Sequence, residues 1–281
     1  MKQLIVNADD FGRSPGVNRG IIDAHRTGIV TSTTVMINQP AAPAGLEDAL
    51  QRAPHLGIGL HLNLTSGRPV SPPDTVPTLV DGDGQFYDIR RWPIAGLRFN
   101  TDELAHEITA QFERFVSLTG QPPDHLDAHH HATYLHPAAF KTMLGLAGQY
   151  ALPLRASRLE AGPHGLLEVL QGLVLEQAQK LFEQLRAVIA GGPPPFWPAR
   201  FETGFYGERA TLGDLLVILT NLPDNGITEL MCHPGYVDDD LRTSRYVEQR
   251  EAELAHLTHA ATRECVQSEG IQLITFGDLR P

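Results

Sequence analysis

Short apolar runs alternate along this chain with longer segments whose apolar residues recur every three or four positions. Such alternation predicts βα units around a parallel sheet. Residues 4–6 read as the first strand, which ends in Asn7-Ala8-Asp9-Asp10. A helix is expected over about 17–27, opened by Ser14-Pro15 and closed by Gly28. Residues 33–37 and 58–64 are the next strands. Leu104, Ile108, Phe112 and Phe115 keep helical spacing, and Asn100 with Glu103 makes a capping-box pattern before them. A strand at 125–128 precedes a helix over about 137–150. Further on come a helix near 212–219, a strand at 229–232, a helix around 248–269 and a last strand at 272–274.

Two segments are less periodic. Residues 66–100, rich in Pro and Gly, read as a long loop on one face, where barrel enzymes shape their substrate sites. In 156–200, Leu170, Val174, Leu181, Leu185 and Val188 suggest a long amphipathic helix, ended by Gly191-Gly192-Pro193-Pro194-Pro195. Its apolar surface is either core or the contact of a homodimer. No internal repeat is visible. A chain of 281 residues can bury a full core as one domain, so the expectation is a single domain, 1–281, with variable insertions at about 66–100 and 156–200.

Charge narrows the partners. With 22 basic and 33 acidic residues the net charge is −11. That argues against nucleic acid and anionic membranes, both of which need a basic patch. Two cysteines, Cys232 and Cys265, are too few for a disulfide framework. The apolar run at the start ends within a few residues, unlike a signal peptide, and nothing approaches the ~20 apolar residues of a membrane span. Cytoplasm is therefore the expected compartment.

Polar residues gather at the ends of the expected strands. In Ile58-Gly59-Leu60-His61-Leu62-Asn63-Leu64-Thr65 the leucines share one face, and His61, Asn63 and Thr65 share the other. In His125-Leu126-Asp127-Ala128-His129-His130-His131, strand alternation puts Asp127, His129 and His131 on one face and turns His130 away. The strand in Glu229-Leu230-Met231-Cys232-His233-Pro234-Gly235 again ends in a histidine, stopped by Pro-Gly, with Cys232 on the packing face. Asp9-Asp10 is a fourth such end. Adjacent carboxylates repel unless a cation or donors offset them. In a parallel barrel these ends meet on one rim. Two imidazoles and a carboxylate there suit a divalent metal with an open position for water; spacing alone leaves His129 and His131 as alternatives.

Leu4-Ile5-Val6-Asn7-Ala8-Asp9-Asp10-Phe11-Gly12, Gly28-Ile29-Val30-Thr31-Ser32-Thr33-Thr34 and the three stretches above occur in an order that resembles the YdjC-like carbohydrate deacetylases. That family includes the chitooligosaccharide (chitin disaccharide) deacetylases. The resemblance runs from residue 3 to about 257 and is weakest across 156–200. It implies an α/β fold, a distorted (β/α) TIM-like barrel, and hydrolysis of the N-acetyl group of an amino sugar. It also implies one divalent metal, Mg or Zn, held by the second Asp of the pair and two histidines: Asp10, His61 and His129, the family's Asp-x-His pattern selecting His129. Family members often carry a further histidine two residues after the equivalent of His131, where this chain has Thr133. A hopanoid-associated branch acts on lipid-linked amino sugars instead.

Chemistry completes the expectation. Asp9, beside the ligand Asp10, is placed as general base. His233, with an ordinary imidazole pKa near ~6.5, is placed as the acid that protonates the departing amine. Asp127 is expected to orient a ligand histidine, and a main-chain N–H near His61 or Asn63 to meet the oxyanion. His131, Asn63, Tyr134 and Tyr206 are expected around the ligands or against the substrate, with His136 and Phe205 as further candidates for stacking on sugar rings. Two rivals are an esterase or phosphoesterase built on the same site, and a metal-stabilised sugar-binding protein without turnover. Asp9 and His233 favour catalysis, since a binding module needs neither a base nor an acid.

Overall fold

The structure is a computed structural model that describes residues 1–156, 175–192 and 196–279. Among the described residues the strands pair in parallel ladders and alternate with helices. This is the α/β class expected of a distorted (β/α) barrel. The chain divides into two compact units, Met1–Gly59 with Pro198–Pro281, and Leu60–Trp197. No helix among the described residues is long and apolar enough to cross a membrane.

The first unit is built on β1 (Lys2–Phe11), flanked by β6 (Gly226–Cys232) on one side. On the other side, β7 (Gln272–Leu273) pairs with Gln3 and Leu4, and β2 (Ser32–Val35) with Asn7, Ala8 and Phe11. β5 (Arg200–Glu202) adds beside β6. β1 is paired along both edges, which satisfies its backbone, and packing on its two faces leaves Leu4, Ile5 and Val6 wholly buried; Ile5 packs with Ile274, Phe276 and Leu279. β1 outruns its sequence-predicted end by five residues, and these carry the two aspartates. Helix α1 (Pro15–Thr27) starts as expected: the Ser14 side chain accepts from Val17 N at 3.2 Å and Pro15 fills the first turn. Helix α2 (Ala42–Arg52) was not predicted. Its N-cap is Ala41, with no side-chain cap, so the usual start signal is missing.

The second unit carries the C-terminal end of β3 (Gly57–Leu62) paired with β4 (Leu126–Ala128). Helix α3 (Thr101–Thr119) buries Leu104, Ile108, Phe112 and Phe115, the four residues its periodicity selected. Asn100 caps it through Asp102 N and Glu103 N. The Glu103 carboxylate is engaged elsewhere, accepting from Thr78 N and Thr78 Oγ1. One turn on, buried Glu107 accepts from Val70 N and Ser71 N, each at 2.9 Å. Residues 66–100 form the long loop expected, broken by short helical turns, clamped to α3 and burying Val76, Leu79, Phe86 and Trp92. Helix α4 is Pro137–Tyr150, the bounds its sequence signals indicate. Helix α5 (Leu175–Ala190) buries Ala178, Leu181 and Leu185, as the core reading of its apolar stripe expects. Leu170, Val174 and residues 193–195 lie outside the described residues.

Back in the first unit, α6 (Leu212–Thr220) follows its prediction. The expected single helix over 248–269 is two, α7 (Glu248–Leu257) and α8 (Ala260–Ser268). The break comes where His259 leaves the helical region and caps α8 by accepting from Ala261 N at 3.1 Å.

Candidate functional site

Each unit brings part of the expected set together at its strand ends. In the first, β1 shifts register between Ala8 and Phe11, and Asp10 sits at φ 69°. A left-handed aspartate inside a strand is a costly conformation that asparagine and aspartate tolerate best. Consecutive residues of a straight strand face opposite sides, and the kink departs from that alternation at the two buried aspartates. Gly12 follows at φ 93°, where an added Cβ would lie 2.8 Å from the Ala42 Cβ. Only glycine fits that turn.

The two carboxylates have different partners. Asp9 accepts from the Asn7 side-chain amide at 2.9 Å, and its other oxygen lies 4.0 Å from His233 Nε2. Asp10 is bound at 2.5 Å by the guanidinium of Arg250. Arg250 itself is 2% exposed, and its Nε donates to Tyr246 O. One turn along α7 from Arg250, buried Glu253 accepts from His233 N and, at 2.5 Å, from Tyr246 Oη. Burial pushes the Glu253 carboxyl up to about 7, against donation from His233 N and Tyr246 and the attraction of Arg250. Burial also raises the Tyr246 phenol, helped by the Glu253 charge.

An aromatic stack stands over His233. Tyr206 lies parallel to Tyr246 with centroids 4.5 Å apart, and the His233 ring meets both edge-on at 5.3 and 5.6 Å. Tyr206 is 45% exposed, so it offers an aromatic face to solvent. Phe205, its neighbour, is wholly buried and belongs to the core, which removes it as a stacking candidate. Cys232 packs with its thiol toward Asn7 O, as its strand face predicted.

In the second unit, His61 Nδ1 bonds Asp127 Oδ1 at 2.6 Å, and Arg155 Nη1 bonds Asp127 Oδ2 at 2.9 Å. The His61 and His129 rings stand edge to face, 5.3 Å between centroids. A tetrahedral cation binding two imidazoles at about 2.0–2.1 Å would separate their ring centres by roughly 5 Å. The pair therefore fits one ion. With Nδ1 engaged by a carboxylate acceptor, His61 presents the Nε2 lone pair, the arrangement usual for a ligating histidine.

Several expectations change here. β4 stops at Ala128, and His130 and His131 both have φ near 52°, so strand alternation ends before the histidine run. His130 is exposed, as its turning away from the shared face expects, while its ring lies 3.9 Å from that of His129 and its Nδ1 is 3.0 Å from Thr65 Oγ1. His131 packs 6.5 Å from the Tyr134 ring. Tyr134 is wholly buried, donates its hydroxyl to Arg155 O and leans on Phe140, so it supports the site from beneath and meets no sugar. Asn63 spends its side chain on the turn after β3, accepting from Thr65 N and Ser66 N and donating to Ser66 O. Its main-chain N–H goes to Gln111, which removes it as an oxyanion donor. His136 is half-buried, and burial lowers its imidazole pKa. Arg155, Arg250, Glu253 and Tyr246 escaped the sequence reading. The only hint was Arg250 and Glu253 three apart on a short helix, a spacing that surface helices also show.

Comparison with known proteins adds identity to geometry. The model of a family described as YdjC-like protein matches residues 3–268. A carbohydrate deacetylase of Brevibacillus brevis is 38% identical over 281 residues, 99% of each chain. A chitooligosaccharide deacetylase of Yersinia enterocolitica is 38% identical over 282 residues, again 99% of each. Among solved structures, a proposed cellobiose-phosphate cleavage protein of Enterococcus faecalis V583 has a TM-score of 0.82 at 31% identity, with 100% of this chain and 99% of that one covered.

Proposed function

Because the chain belongs to the YdjC-like family, we propose that it is a metal-dependent carbohydrate deacetylase that hydrolyses the N-acetyl group of an amino sugar and releases acetate. The substrate class is chitooligosaccharide or another N-acetylglucosamine-containing sugar. One observation carries the reading: Asp9, Asp10, His61, His129 and His233 all stand at or just past the C-terminal ends of parallel strands, β1, β3, β4 and β6. That is where α/β barrel enzymes place their chemistry.

Asp10, His61 and His129 would hold one divalent cation. Two imidazoles and a carboxylate favour zinc or another transition metal, with magnesium the alternative. When bound, such a cation polarises a carbonyl and lowers the pKa of water. Arg250 fixes the direction of the Asp10 carboxylate, and Asp127 that of the His61 ring. Asp9, steadied by Asn7, takes the proton of the attacking water. His233 protonates the amine as it leaves, since an unprotonated amine is a very poor leaving group. Tyr206 offers its exposed face to a sugar ring.

The test is acetate release from chitobiose, longer chitooligosaccharides and a lipid-linked glucosamine, with metal analysis of the purified protein. Chelation should abolish activity and zinc, manganese, cobalt or magnesium restore it to different extents. Asp10→Asn should lower metal occupancy, whereas Asp9→Asn should keep the metal and lose roughly 10²–10⁴ in kcat. Full activity in a verified metal-free preparation sinks the mechanism, and no acetate from any substrate favours a sugar-binding protein.

A further inference from the structure

We propose that Arg155 is a positioning residue for His61, acting through Asp127; the inference rests on His61 being a metal ligand. Arg155 is 0% exposed, as is Asp127. An arginine is among the residues least often buried, and a buried ion pair is weak evidence for stability, since apolar residues of similar volume often serve the fold as well. A buried arginine asks for another reason. The carboxylate supplies one: Oδ1 meets His61 Nδ1 at 2.6 Å and Oδ2 meets Arg155 Nη1 at 2.9 Å. A carboxylate held at one oxygen swivels about its last bond. Held at both, its plane is set, and so is the imidazole that hydrogen-bonds to it.

Arg155 is itself fixed from both sides. Leu154 bridges Leu126 in parallel, Arg155 N donates to Leu126 O at 3.0 Å, and Arg155 O accepts from Tyr134 Oη at 2.8 Å. The segment thus runs as a short added strand beside β4, which brings the guanidinium alongside Asp127. The planar guanidinium on a buried stem suits holding a carboxylate in one orientation, a task a lysine performs less well. Arg155 is placed to act through Asp127. It sets the direction in which His61 Nε2 points.

The experiment titrates Zn²⁺ and Co²⁺ into chelator-treated full-length protein by calorimetry, with the visible spectrum of the cobalt form as a second readout. Circular dichroism checks folding of each metal-free variant. Arg155→Met should weaken both cations by roughly 10–100-fold and shift the cobalt bands, the usual range for losing an outer hydrogen-bond partner of a ligand. Asp127→Asn should do the same, and Arg155→Met with Asp127→Asn should be no weaker than Asp127→Asn alone. If Arg155→Met fails to fold, the double variant, which leaves no lone buried carboxylate, is compared with Asp127→Asn. Equal affinity supports the relay, and a further tenfold loss overturns it, because Arg155 then acts independently of Asp127. Wild-type affinity and spectrum in Arg155→Met, in Asp127→Asn or in the double variant also overturn it. A wild-type protein that binds no cation fails earlier, at the metal reading itself, and is distinguished from these outcomes on the first titration.

Discussion

Asp9 and Asp10 are chemically identical neighbours, yet the kink at Asp10 gives one an amide and an imidazole and the other a guanidinium. Environment, not residue type, separates them. The same holds for the histidines: His61 is steered by a carboxylate, while His233 is held by its main chain on Glu253 and framed by two tyrosines. If His233 is the acid, its loss must depend on the leaving group, because only an interaction used in the transition state alters the chemical step. His233→Ala should lose roughly 10²-fold or more in kcat/KM on the N-acetyl sugar. On an activated aryl acetate, which expels a weakly basic phenolate, it should lose far less, with metal content unchanged. Parallel kcat/KM measurements on both substrates decide it, and equal losses would make His233 a positioning group.

Helices α3 and α7 do for their units what the strands cannot. Residues i and i+3 share a helix face, so Arg250 and Glu253 on α7 reach the β1 end and the β6 end from one surface. On α3, Glu103, Glu107 and Gln111, spaced by four, pin Thr78, then Val70 with Ser71, then Asn63. Periodicity revealed the apolar stripe of α3 and not the polar row, of which only Glu103 is marked, as part of a capping box. Glu107→Ala would strip two main-chain N–H groups of their acceptor at a cost of about 1–3 kcal/mol for each one that stays buried. The expected outcome is a destabilisation of roughly 3 kcal/mol by urea unfolding, with faster amide hydrogen exchange at Val70 and Ser71 while α4 is unaffected. Unchanged exchange at those two amides would show that other contacts hold the segment.

For the molecule as a whole, Glu253 links stability to pH. Its folded pKa, raised to about 7 from an ordinary 4.5, means that the native state binds the proton more tightly than the unfolded chain. The stabilisation from that proton is therefore complete below pH 4.5 and is lost as pH rises through about 7, by at most roughly 3 kcal/mol. Glu253→Gln cannot ionise. The stability of wild type minus that of Glu253→Gln should fall between pH 5 and pH 8 in chelated samples, and a flat difference would falsify the linkage. The sequence alone determined most of the strand and helix succession (α2, β5 and the break between α7 and α8 excepted), the polar strand ends and the family, because side-chain periodicity, caps and Pro-Gly stops act within a few residues of chain. It also located Asp9, Asp10, His61, His129 and His233, which mark those ends. Only the tertiary structure decided what each of them leans on. Arg250 meets Asp10 across 240 residues of sequence, and Arg155 reaches Asp127 from a segment that carries no motif. The kink at Asp10 and the left-handed turn at His130 and His131 also came with the fold. A buried charge takes its partner from long-range packing, and no local pattern encodes that choice.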